Sequence, residues 1–402
     1  MFRGWTKVAG RRRIRAVLKA SEPSSQRSGE ASADARWRWL SRALVLAPLL
    51  VITVMVAARP GERTVTTLYH EAVIRWAARQ PLYDGPAGMN YLPAFVPIFA
   101  PFHLGPRVIG DVLWRWTAWG GLVLGLWGWT RKEARPQRAF ALAALLGLPL
   151  CLGAIRNGQA NAHFGAALLL AGVCLAEGRW WPAVVFVCLS VAIKPLGLAA
   201  VGLVFAAYPR LWWRLGIGLA GALLLPFVCG PPDYVGRQFV AELANLQQCA
   251  VVADNRFADL NGLLRAVHAP LSGGESLLVR GAAGLGLAVF CFLVVRPLPD
   301  GPRALGWLAC AAGYLMLFNP MTEANSYVAL GPALALWSGS LFAGGWRAGG
   351  WLLAGAAVTM GWLPTLLRPW LGNFFALAWY PLMAIVFLCV VTRWLRVQPV
   401  RV

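Results

Sequence analysis

Charged residues are scarce in this chain. Asp, Glu, Lys and Arg make up 13% of its 402 residues. A soluble globular domain carries about 25%. Acids are the scarcest: 16 Asp and Glu stand against 37 Lys and Arg. With 58% hydrophobic residues, that poverty excludes an ordinary soluble enzyme and a disordered chain alike. Other absences narrow the class further. Eight cysteines form no CxxC pair and no His/Cys ligand spacing, so a zinc or redox site is not expected. No Walker loop or dinucleotide fingerprint is present, so no nucleotide site is expected. No carboxylate pair at ligand spacing stands out, so neither metal nor cofactor is expected. The apolar runs do not alternate, which argues against a membrane barrel. No internal repeat is apparent.

Twelve apolar runs remain: 43–58, 109–129, 140–155, 160–176, 181–193, 196–207, 215–229, 281–295, 304–318, 327–342, 351–363 and 374–391. Continuous apolar runs in lipid predict helices. The expected fold is therefore an all-α polytopic membrane bundle of about twelve spans. The fifth and sixth hydrophobic segments meet at Lys194–Pro195, which could also mark one broken helix. Leu92–Leu104 is apolar too, but Pro93, Pro97 and Pro101 predict a re-entrant or interfacial element.

The formal charge of +21 invites a nucleic-acid reading, until its distribution is counted. With the N-terminus inside and twelve spans, cytoplasmic segments hold 24 Lys and Arg and external segments hold 12. The positive-inside rule then places both termini in the cytoplasm of a cell-membrane protein. The net charge divides into +18 inside and +3 outside, while Asp111 and Arg115 cancel within the second span. The excess faces anionic lipid, and no nucleic-acid partner is expected. Residues 1–42 form a basic tail, 43–391 one membrane domain, and 392–402 a second basic tail. The tail is not read as a signal peptide, since its first apolar run starts about 40 residues in. Gly10–Ala20 reads as a basic lipid-surface helix, and Ala20–Asp34 as disordered. Trp residues cluster at the expected cytoplasmic ends, as interfacial anchors do.

Polar chemistry gathers on the expected external side. Two loops there are long, 59–108 and 230–280. The first holds Thr64–Asp84, read as an amphipathic interfacial helix with Leu68, Ala72, Trp76 and the arginines Arg75 and Arg79 marking its period. Glu71 on this helix and Asp84 after it are candidate bases for a hydroxyl proton. Arg156, Gln159 and Asn161 join spans three and four in a turn suited to an anion or a sugar. His163 lies one turn inside the next span, where an ionisable group is costly unless it is used. Lys194 could snorkel or hold a phosphate. Asn255 and Arg256 mark the second long loop. Glu323, in Asn319–Tyr327, is a single acid between two apolar spans and a further candidate base. Cys229 and Cys249 both fall outside and could pair.

Five segments carry a resemblance: LYHEA…PLYDG…YLPAF, RNGQAN, Ile193–Pro195, ADNRFADLNGLLR and FNPMTEANSYVALGPALAL. In their order they resemble glycosyltransferase family 87, of the GT-C fold, which is similar to mannosyltransferases of lipid assembly. The resemblance implies an inverting membrane enzyme. It would take a sugar, mannose among the options, from a polyprenyl-phosphate-linked donor. It would pass that sugar to a glycan or glycolipid hydroxyl on the extracytoplasmic side. Arg156, Lys194 and Arg256 would then contact phosphate, and Gln159, Asn161 and Asn255 would bond sugar or lipid head. The chain departs from the family at one place. The acid expected just after the first span is absent from Arg63–Tyr69. Glu62, Glu71, Asp84 and Glu323 are the possible replacements, with Glu71 leading. Two other classes stay open: a lipid or sugar transporter or flippase, and a noncatalytic envelope-assembly protein.

Overall fold

The protein is described from a computed structural model covering residues 24–85, 88–250, 257–372 and 374–397. Among the described residues there are helices and turns and no strand. The first helix, α1 (Ser24–Ala58), begins within the stretch expected to be disordered, so residues 24–34 are helical. The interfacial helix is α2 (Thr66–Ala77). Its buried face is Thr66, Tyr69, His70 and Ala72. Of the residues marking its period, Ala72 is buried and Leu68 is 42% exposed.

The proline-rich segment forms α3 (Phe95–His103). At nine residues it rises only about 14 Å, far short of a span. It is followed by α4 (Arg107–Thr130), α5 (Pro136–Gly147) and α6 (Leu152–Asn157). Three short apolar helices come next: α7 (Asn161–Ala176), α8 (Trp180–Ile193) and α9 (Gly197–Ala207). Then come α10 (Trp212–Val228), α11 (Pro232–Ala250), α12 (Leu260–Ala266) and α13 (Gly273–Phe290). The bundle closes with α14 (Asp300–Phe318), α15 (Leu330–Ala343), α16 (Arg347–Leu371) and α17 (Phe374–Val397).

All twelve apolar runs are thus helical, but they are not twelve unaided spans. Five helical stretches are long and apolar enough to cross alone: Asp34–Ala58, Pro209–Val228, Gly273–Val295, Ala324–Ala343 and Leu377–Val397. A sixth arises if Pro136–Gly147 and Pro149–Asn157, bent by 43°, count together. The 16, 14 and 11 residues of α7, α8 and α9 fall short of the roughly 20 that a lone span needs. Burial compensates for length. α7 is apolar on all sides and almost wholly covered by its neighbours.

Close helix contact at the centre depends on small residues. Gly121, Gly125 and Gly128 of α4 form a stripe against α7. A methyl on Gly125 would come within 2.6 Å of Leu169, and one on Gly128 within 2.8 Å of Val173. In lipid, such stripes replace the hydrophobic effect as the means of bringing backbones together. Aromatic edges then lock α2, α3 and α4. Tyr69 meets Phe95, Phe99 and Trp114 with ring centroids at 4.8, 5.3 and 6.1 Å. This packing places the start of α2 beside the α6–α7 turn, where Val65 N donates to Asn157 O at 3.0 Å.

Candidate active site

The site is assembled from four separated segments. The first is the turn between α6 and α7. Gly158 ends α6 in the left-handed region, with φ of 65°. A side chain there would meet Thr66 at 2.6 Å and the Arg115 guanidinium at 3.0 Å, so the position takes glycine only. α4 braces this turn. Trp114 Nε1 donates to Gly158 O at 2.9 Å, and Arg115 Nε donates to Arg156 O at 3.1 Å. Arg156 is half-buried, and its guanidinium has no protein partner among the described residues.

The second segment is the α8–α9 break. Pro195 removes a donor and drives the preceding residue out of helical geometry. Lys194 is accordingly extended, at φ −137° and ψ 134°. The chain turns tightly enough that a side chain on Gly197 would lie 2.6 Å from Ser190 Oγ. Lys194 Nζ sits 5.2 Å from the ring centre of Tyr91, which begins the third segment. Tyr91 OH is 2.7 Å from Tyr69 OH, and Tyr69 OH accepts from Ala160 N at 3.1 Å. One chain of contacts therefore joins Lys194 through two tyrosines to the α6–α7 turn.

The fourth segment is the Asn319–Ser326 turn. Met321 adopts φ of 57°, a strained conformation for a bulky residue. It is held by Asn319 Nδ2 donating to Thr322 Oγ1 at 2.9 Å and by Ala258 N donating to Thr322 O at 2.7 Å. Glu323, half-buried, follows. Gln159 Nε2 donates to Glu323 Oε2 at 3.4 Å. Asn161 Nδ2 donates to Gln159 Oε1 at 3.2 Å and to Ser326 Oγ at 3.1 Å. The Glu323 charge also acts on both Lys194 and Tyr91. Gln159, Asn161, Lys194 and Glu323 thus come together, with Arg156 on the same turn as the two amides.

The other expected site residues do not join them. Glu71 Oε1 accepts from Arg75 Nε at 3.0 Å, and Asp84 accepts from Arg75 Nη1. Both carboxylates are at least half exposed, at 50% and 60%. Their hydrogen bonds raise the pKa of Arg75 above its usual value, that of Glu71 most. His163 stacks on Trp114 at 3.6 Å between ring centres and bonds Thr117 at 3.0 Å, so it serves the α4–α7 contact. Asn255 and Arg256 lie outside the described residues. Cys229 and Cys249 are both free thiols.

Two features were missed by reading the sequence. In the first, Asp111 of α4 reaches the acid-free start of α2. Its Oδ1 is 3.1 Å from His70 Nε2, and its carboxylate also bonds the Thr66 hydroxyl. His70 Nδ1 meets His103 Nδ1 at 2.9 Å, tying α2, α3 and α4 together. Asp111 is 1% exposed and fully engaged, so it positions the neighbouring turn rather than facing a substrate. Its signal was present in the sequence as a charge within an apolar run. The second feature is a polar face of α11. Gln238, Glu242 and Asn245 are buried against the segment that runs to Tyr91. Gln238 Oε1 accepts from Leu82 N at 3.0 Å, and Asn245 Nδ2 donates to Met89 O at 3.1 Å. Burial pushes the Glu242 carboxyl up to about 8.

The apolar helices are those of a membrane protein, with this polar cluster among them. Residues 90–320, more than half of the chain, match glycosyltransferase family 87. The chain belongs to that family and is a membrane glycosyltransferase. The match contains Arg156, Gln159, Asn161, His163, Lys194, Asn255 and Arg256, starts after Glu71 and Asp84, and ends three residues before Glu323. No curated protein and no solved structure matches the chain.

Proposed function

We propose that the chain moves a sugar, mannose in the first instance, from a polyprenyl-phosphate-linked donor to an acceptor hydroxyl, with inversion. In this reading the bundle is a GT-C fold of about twelve membrane-crossing or membrane-embedded helices. Both termini are cytoplasmic, and the site faces outward across the cell membrane. The observation that carries the reading is the bond from Gln159 to Glu323, with Asn161 holding Gln159 and the Glu323 charge acting on Lys194. A lipid-anchored donor needs no nucleotide fold. It does need cations for its departing phosphate and a carboxylate for the acceptor.

Glu323 takes the acceptor proton. The freed oxygen attacks the anomeric carbon from the face opposite the phosphate. As that bond forms, the bond to phosphate oxygen breaks, and the phosphate leaves with the electron pair. Lys194 and Arg156 neutralise its charge at the water-poor end of the bundle, where such stabilisation is strongest. Gln159 and Asn161 orient the sugar hydroxyls, and Gln159 holds Glu323. Asp111 and Arg115 hold the turn that carries these amides.

The test is transfer from polyprenyl-phosphate-mannose by the full chain in proteoliposomes, with products identified by mass spectrometry. Glu323→Gln should retain the fold and lose turnover. Unchanged turnover would sink the base assignment. Absence of transfer from any polyprenyl-phosphosugar would sink the donor class. Comparing envelope lipids and glycans with and without the protein would name the acceptor.

A further inference from the structure

An apolar groove runs along the outer side of α1, against α4. It encloses about 540 Å³ and is walled by Leu46, Leu49, Leu50 and Trp116. One end is closed by a hydrogen bond, with Trp116 Nε1 donating to Thr53 Oγ1 at 2.9 Å. The other end opens beside Trp39 and Arg42. The Arg42 guanidinium lies 5.7 Å from the Trp39 ring centre. Arg38 stands one turn earlier on the same side of the helix, and both arginines are exposed. The nearest acid on α1, Asp34, is two turns from Arg42. The groove is therefore apolar along its length and cationic at its mouth.

Its length and place are informative. Fourteen residues separate Trp39 from Thr53, about 21 Å of helix rise. That is roughly half a bilayer, headgroups included. The walls do not slide freely. Trp119 Nε1 donates to Val45 O at 3.0 Å, and Ser41 Oγ donates to Gln137 O at 3.3 Å. The far end of α1 leads into Thr64–Thr66 and the candidate active site. The mouth thus opens in the leaflet opposite that site.

We propose that this groove is a binding site for one anionic phospholipid of the opposite leaflet, with an acyl chain along α1 and the phosphate on Arg42. Charge selects the head and groove length selects a single-leaflet chain. A donor lipid presented at the candidate active site would bring its phosphate to the wrong end. The proposal depends on the chain being a membrane protein and not on the sugar-transfer reading.

Native mass spectrometry of the full chain in detergent tests it, using phosphatidylglycerol and phosphatidylcholine with identical acyl chains. One arginine near an anionic surface is worth about fivefold in binding. The wild type should therefore retain phosphatidylglycerol about fivefold or more over phosphatidylcholine. Arg42→Gln should reduce that preference about fivefold without changing thermal stability. Ala47→Trp, which fills the groove, should lower retention of both lipids. Equal retention of the two lipids by the wild type would overturn the proposal, as would a preference untouched by Arg42→Gln. Displacement of phosphatidylglycerol by undecaprenyl phosphate, abolished by Ala47→Trp, would assign the groove to the lipid carrier instead.

Discussion

Two carboxylate regions of this protein read alike as sequence and differ as structure. In the first, Glu71 and Asp84 flank Arg75 at an exposed helix edge. Their charges are answered locally, and water screens what remains. Exposed pairs of this kind contribute about 0–1 kcal/mol. In the second, Glu323 accepts from the amide of Gln159, 164 positions away, whose own oxygen is held by Asn161, and the nearby Lys194 ammonium has no carboxylate in bonding range among the described residues. A polar group in a protected site is worth more and is worth keeping only if used. The contrast separates a carboxylate that stabilises a loop from the one we propose as the acceptor's base.

The largest effect should come from exchanging the two regions' acids. Glu323→Gln should lower turnover about 10²–10⁴-fold, the usual contribution of general-base catalysis. Glu71→Gln and Asp84→Asn should stay within about threefold in the same assay, as solvated pairs are expected to. A collapse of transfer in Glu71→Gln with Glu323→Gln active would reverse the comparison. Next is Lys194→Met, which should lower kcat/KM about 10–100-fold by removing a charged contact to phosphate. Lys194→Arg should recover part of that loss, and a Lys194→Met enzyme at full efficiency would leave the phosphate without its main cation. Smaller still, Gln159→Ala and Asn161→Ala should each cost about 2–10-fold, as neutral hydrogen bonds do. Steady-state kinetics with a short-chain donor reads all of these.

The smallest effect should fall on stability and involve the segment between the two regions. Glu242 lies buried on α11 between Gln238 and Asn245, which bond that segment, and burial raises its pKa to about 8. An unfolded glutamate titrates near 4.5. Between those values the folded state holds a proton that the unfolded state has lost. Stability therefore falls as pH rises from about 4.5 to about 8. Glu242→Gln should raise the melting temperature at pH 8 by a few degrees and leave it unchanged near pH 4.5. Light-scattering or dye-based melts in detergent would show this. A wild-type slope that survives the substitution would assign it elsewhere.

Much of the site was legible locally. Lys194–Pro195 announced a break because proline forbids helix continuation. The Arg156–Asn161 turn showed its polar residues within a few positions of one another. Arg75 lies four residues from Glu71, so that pairing was readable from helix periodicity alone. The preference for Glu71 over Glu323 had another source, since it rested on closeness in sequence to a missing acid. In space that place is reached by Asp111, from a helix some 45 residues later.

By itself the sequence determined the solvent, the secondary structure and the list of polar candidates. Hydropathy, proline placement and charge asymmetry act over one helix at a time, so they can be read without a partner. Only the tertiary structure decided which candidates meet, which are already neutralised, and which runs are too short to cross unaided. Those outcomes depend on packing. A stripe of glycines lets α7 sit against α4, that contact sets the α6–α7 turn, and Gln159 of that turn meets Glu323.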